Sequence, residues 1–165
     1  YRRQRQMCIR DSINVMNKLL IIFFTAVILF SFELSASKYD KDNPSDLYEK
    51  ATKQLKQEKY KAALNTLKKY TKAEKDDPDG WTLLAFTNRK LTNFSKAEEL
   101  YEKALKLEPN NKIALEYQGE LFVEINEMEK AITNLLKLEN LCPNSCEEFE
   151  MLKNYIDGKD SKTLK

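Results

Sequence analysis

The chain has 165 residues, 28 of them basic and 26 acidic, with no histidine and three glycines. Positions 1–37 hold five of the bases (Arg2, Arg3, Arg5, Arg10, Lys18) and two of the acids (Asp11, Glu33), which leaves 23 against 24 in the remainder, a net charge of −1. That balance, with Lys and Glu mixed along every segment, lacks the basic face with which a nucleic-acid binder offsets phosphate charge, and so few glycines leave little room for hairpin turns or phosphate-cradling loops.

In chain order, residues 1–15 ("YRRQRQMCIRDSINV") are expected to be non-native read-through ahead of an initiator at Met16. Residues 16–37 have the layout of a secretory signal peptide. One base, Lys18, precedes fourteen residues from Leu19 to Phe32 interrupted only by Thr25 and Ser31, and the small cluster Ser35-Ala36-Ser37 follows. The run is short for a membrane span, which needs about 20 residues. The expected destination is therefore periplasmic or secreted, with membrane contact transient; the alternative is an inner-membrane anchor formed by the uncleaved segment.

From residue 44 onward the apolar residues recur at helical spacing and repeat at a longer period. Steps of 34 connect Leu47, Trp81 and Leu115; Ala51, Ala85 and Gly119; Tyr60, Phe94 and Met128; Ala63, Ala97 and Ala131; and Leu67, Tyr101 and Leu135. Pro44 and Pro78 lie the same distance apart, as do Pro109 and Pro143. Proline cannot continue a helix and disfavours helical geometry in the residue before it, so it punctuates each unit. The tiny columns mark where antiparallel helices cross closely, with aromatic columns filling the wider gaps. The class expected is all-α.

The pattern Trp81, Leu84, Ala85, Phe94, Ala97, Tyr101, Ala104, Pro109 resembles the tetratricopeptide repeat, a 34-residue helix-turn-helix. Asn88 replaces the usual aromatic, Gln118 stands where an apolar residue is common, and the first copy departs at Lys50, Gln54, Tyr70 and Lys75. The resemblance implies a solenoid of three units, 44–77, 78–111 and 112–143, because a single unit cannot bury its own apolar face. Residues 144–158 follow as a capping helix: Ser145 and Glu148 have capping-box spacing, Phe149, Leu152 and Ile156 form a stripe, and Gly158 is a terminator. Residues 159–165 are expected to be a disordered polar tail.

The missing histidine removes the commonest general base and zinc ligand. Paired carboxylates such as Glu98-Glu99, Glu147-Glu148 and Glu127/Glu129 read as solvated helix faces or helix N-termini favoured by the macrodipole. No catalytic residue, metal or cofactor is therefore expected. Cys142 and Cys146, an even pair once Cys8 is set aside, read in an exported chain as a disulfide. Two free thiols and a redox-active pair remain alternatives, the spacing being C-x3-C.

In proteins with this resemblance the first helix of each unit lines an inner groove that holds a peptide or another protein's helix. By position, this groove presents Tyr48, Thr52 and Leu55, then Thr82, Phe86, Arg89 and Lys90, then Glu116, Glu120 and Val123. Phe86 and Arg89 form either an apolar floor with a cationic edge for an acidic segment, or a packing residue beside a locally paired base. The function expected is a non-catalytic interaction scaffold in the bacterial cell envelope, with a partner protein or peptide in the groove. The alternative is a thiol redox protein or sensor using Cys142 and Cys146, and self-association through the first unit is a further possibility.

Overall fold

A computed structural model describes residues 43–158; the expectations for 1–15, 16–37 and 159–165 fall outside the described residues. Seven helices and no strand occur among the described residues: α1 (Pro44–Lys56), α2 (Tyr60–Ala73), α3 (Pro78–Lys90), α4 (Phe94–Leu107), α5 (Lys112–Glu124), α6 (Met128–Leu141) and α7 (Glu147–Ile156).

The boundaries repeat because the residues that set them repeat. Each first helix starts behind an Asn or Asp whose side chain accepts a backbone N–H of the opening turn. Asn43 accepts from Ser45 at 3.3 Å, Asp77 from Asp79 and Gly80 at 3.1 and 3.2 Å, and Asn111 from Ala114 at 2.9 Å. Such a cap satisfies an amide that has no partner inside the helix and contributes about 1 kcal/mol. Pro44 and Pro78 then occupy a first-turn position, where the missing N–H costs nothing. Inside each pair the chain turns through a left-handed residue, with φ of 55° at Glu58, 60° at Thr92 and 62° at Asn126. The three are one period apart, so the helix-to-helix turn is one geometry made three times.

Packing follows most of the columns read from the sequence, although Met128, one period after Phe94, is exposed. Ala51, Ala85, Ala63, Ala97 and Ala131 are fully buried, as is Tyr101. The main core joins Leu55 and Leu67 to Leu84, Phe86, Leu100 and Leu121 across the first three helix pairs. A second cluster, Leu115, Leu138 and Leu152, with Phe149 and Ile156 against it, fixes α7 to α5 and α6. Gly119 makes that contact possible, since a Cβ there would stand 2.5 Å from Leu152 Cδ2. Gly119 is the eighth residue of α5, and the eighth residue of α7 is Asn154, which is exposed; the tiny column ends there.

The buried departures from the repeat pattern, Asn88, Gln118 and Tyr70, are satisfied polar groups. Asn88 donates to Leu84 O at 2.8 Å, and Asn134 donates to Gln118 Oε1 at 3.0 Å and Leu115 O at 3.1 Å. Tyr70 donates its hydroxyl to Asp77, the cap of α3. Buried groups of this kind cost little once paired.

One local expectation is corrected. Ser145 does not open α7 with a capping box: the N-cap is Cys146, which makes no side-chain cap bond. Ser145 instead has φ 68° and donates to Glu150 Oε1 at 2.7 Å. The turn between the two cysteines leaves Ser145 in the left-handed region, one residue too early to cap. Gly158 closes the helix with φ 70°.

Candidate functional site

The first helices α1, α3 and α5, continued by the capping helix α7, present the face on which the groove residues were placed. Tyr48 and Thr52 on α1 are half-buried. The Tyr48 ring tilts against Tyr70 at 5.3 Å, and Thr52 donates to Glu49 O at 2.8 Å. Lys90 and Val123 are also half-buried. The other nominated residues are not groove walls in this state. Leu55 belongs to the core, and Thr82 is buried with its hydroxyl on Pro78 O at 2.9 Å. Phe86, Arg89, Glu116 and Glu120 are buried as well. The physical reason is that α5 packs against α3 on one side and α7 on the other, so the columns between them close on one another.

What closes there is a charged and aromatic cluster. Phe86 of α3 meets Tyr117 of α5 at 5.0 Å between ring centroids. The Arg89 guanidinium lies 5.4 Å from the Phe86 ring and 5.9 Å from Tyr117, a cation–π arrangement on both sides. It pairs with Glu120, and with Glu124 at 3.2 Å. Tyr155 of α7 donates to the same Glu124 Oε1 at 2.8 Å. Arg89 is therefore no free cationic edge: it is 2% exposed and committed to two carboxylates. Against the pull of burial, Tyr101, Glu120 and Glu124 hold its guanidinium above the ordinary value.

Glu116 behaves oppositely. It is 3% exposed, and its Oε1 has no hydrogen-bond partner. Burial first, then the neighbouring charges of Glu120 and Glu148, push its carboxyl up to about 9, with Arg89 opposing and Glu147 adding to the rise. At neutral pH this side chain is a protonated acid. Burial also raises the Tyr101 and Tyr117 phenols, and burial and Arg89 lower the Lys90 ammonium.

Tyr101, Tyr117, Glu124, Glu148 and Tyr155 complete the cluster and were missed from sequence. A signal for some of them exists in the period. Arg89 shares its column with Val123, so Glu120 and Glu124 lie one turn before and one residue after its register mate; polar pairs between neighbouring units recur at separations of 31 to 35. Elsewhere the Sγ atoms of Cys142 and Cys146 stand at bonding distance, 2.04 Å, with Cα atoms 5.6 Å apart. Among the described residues no group of three or more His, Cys, Asp or Glu is placed to hold a metal ion, and no helix is long and apolar enough to cross a membrane.

A stack of antiparallel helix pairs with a capped end and a polar seam on its first helices defines an all-α helical-repeat protein. Residues 78–111 match the tetratricopeptide repeat family model. The chain is similar to the first TPR domain of Spaghetti (RPAP3) bound to the HSP90 peptide SRMEEVD, at 25% identity and TM-score 0.62 over 72% of this chain and 94% of that one. It is similar in fold to MamA, at 19% identity and TM-score 0.63, with 74% and 71% covered. The Yersinia enterocolitica type III secretion translocator chaperone SycD also shares the fold, at 18% identity and TM-score 0.63, with 74% and 92% covered. No curated protein matches the sequence. Residues 78–111 are a tetratricopeptide repeat, and the described residues share the all-α repeat fold of these TPR domains.

Proposed function

We propose that this protein is a non-catalytic interaction scaffold of the bacterial cell envelope, holding a segment of a partner protein along the face of α1, α3, α5 and α7. The observation that carries the proposal is the charged and aromatic seam on that face, in a fold whose solved relative is described as bound to a peptide. A chain without histidine has little with which to break bonds, whereas the half-buried Tyr48, Thr52, Lys90, Tyr117 and Val123 leave side chains at the surface of an ordered helical face for a partner to touch. The acidic peptide held by the relative would meet Glu116, Glu120 and Glu124 here, so its specificity does not transfer. Export rests on the layout of residues 16–37. In this proposal the Cys142–Cys146 bond is a staple joining the end of α6 to the start of α7, and Cys142 is buried, which disfavours the redox alternative.

The test is a photo-cross-linking amino acid placed at Thr52, at Val123 and, as a control, at exposed Thr133 on α6, in cells carrying the full chain. One partner band shared by positions 52 and 123 and missing from 133 supports the scaffold. Equal labelling from all three removes the face from consideration. Fusing residues 16–40 to alkaline phosphatase tests export directly, and an inactive fusion places the protein elsewhere.

A further inference from the structure

Three buried polar atoms without a hydrogen-bond partner fall in one place: Glu116 Oε1, Arg89 Nε and the Tyr101 hydroxyl. Tyr101 comes from α4, beneath the face, and is fully buried within electrostatic reach of Arg89, Glu120 and Glu124. Proteins rarely keep unpaired buried groups unless a use compensates for the lost stability. Around them the charges are unequal. The cations Arg89 and Lys90 of α3 face Glu116, Glu120 and Glu124 of α5 and Glu148 of α7. Arg89 is consumed by Glu120 and Glu124, and Lys90 lies over the Phe86 ring at 5.3 Å. Glu116 therefore has a buried oxygen without a hydrogen-bond partner and acidic neighbours in Glu120 and Glu148, and the spot reaches the surface at half-buried Glu148 and Tyr117.

The complement of such a spot is a group that brings N–H donors and positive charge on an apolar stem. A metal ion does not fit, because the carboxylates are not gathered into a ligand set. We infer that the α5–α7 end of this face receives a lysine or arginine side chain from a basic segment of the partner, its head donating to Glu116 and Glu148 and its stem lying along Tyr117. The inference rests on the scaffold function proposed above and gives the partner a charge opposite to the one expected from sequence. The cationic head replaces the proton that Glu116 otherwise holds, and that proton passes to the buffer, so binding releases one proton per site. The groups that govern this exchange are Arg89 from α3, Glu120 from the same helix, and Glu147 and Glu148 from α7.

The experiment pans a random dodecapeptide phage library against the full chain and, in parallel, against Glu116→Gln and Glu148→Gln variants whose folding is checked by circular dichroism. Enriched peptides are expected to share a Lys or Arg at one position. Affinity should fall about tenfold or more when that residue becomes norleucine or when Glu116 becomes Gln. Calorimetry in buffers of different ionisation heat should show proton release with the parent chain and none with Glu116→Gln. Enriched peptides that share no cation, or that bind Glu116→Gln equally well, overturn the inference. If such peptides still cross-link to position 123, the scaffold survives that failure; if no peptide is enriched, or none reaches position 123, both fall.

Discussion

Replacing Glu116 by Gln should make the protein more stable, and increasingly so as the pH rises. Gln has the shape of the protonated acid and cannot ionise, so it keeps the packing between α3 and α5 and removes only the titration. The folded carboxyl is held up to about 9 by burial, Glu120 and Glu148, against 4.5 for the free group. Between those values the folded chain keeps a proton that the unfolded chain has released. Stability is therefore greatest at the acid end of the interval and falls as pH rises, by about 1.4 kcal/mol for each pH unit. The accumulated loss is about 3 kcal/mol at neutral pH, counted from the free-group value. Urea unfolding of both proteins, at intervals from about pH 5 to about pH 8, gives the comparison. The Gln variant should start nearly level with the parent and lead by several kcal/mol at the upper end, with a melting temperature raised by about 10 °C or more at neutral pH. Two curves that stay parallel across the range would refute the reasoning, because they would show that Glu116 titrates alike in the folded and unfolded chains.

Arg89→Met leaves Glu120 and Glu124 facing each other without their base and should cost about 3–5 kcal/mol; adding Glu120→Gln should recover part of it in a double-mutant cycle, and strictly additive losses would deny the pairing. Thr92 is β-branched in a left-handed turn, so Thr92→Asn, which copies the equivalent Asn126, should gain about 0.5–1 kcal/mol in thermal unfolding. Leu152→Ala removes the side chain that seats α7 on Gly119, and a loss of about 2–5 kcal/mol should appear, with amide exchange accelerated in α7 and little changed in α1 and α2. With the proposed Cys142–Cys146 staple in place, reduction frees only a short loop and should lower stability by about 2 kcal/mol, measured by melting with and without reductant; an unchanged melting temperature would remove the staple.

The fold class was legible because stacking imposes a rule on side-chain size that survives in a single sequence. Ala51, Ala85, Ala63, Ala97 and Ala131 could be picked out by spacing, and each is fully buried. The site was legible only in part. Composition along one helix shows Phe86 followed by Arg89 at helical spacing, but whether that arginine faces solvent depends on residues 31 and 35 positions later, on the neighbouring first helix. The same limit applies to Glu116, whose environment is set by α3, α5 and α7 together. Local pattern predicts which face a residue occupies; the depth of that face depends on how closely the next pair leans against it. Ser145 illustrates the smaller scale, where a one-residue shift in the turn moved the cap to Cys146.

Asn154 gives the array a built-in way of counting. The eighth residue of α1, α3 and α5 is tiny, at Ala51, Ala85 and Gly119, and at Gly119 that leaves the room into which α7 settles; the same place on α7 holds an asparagine turned to water. Any rod laid on α7 there would have to stand off from it by the width of that side chain. Lengthening the array, by evolution or by design, would begin with making that residue small.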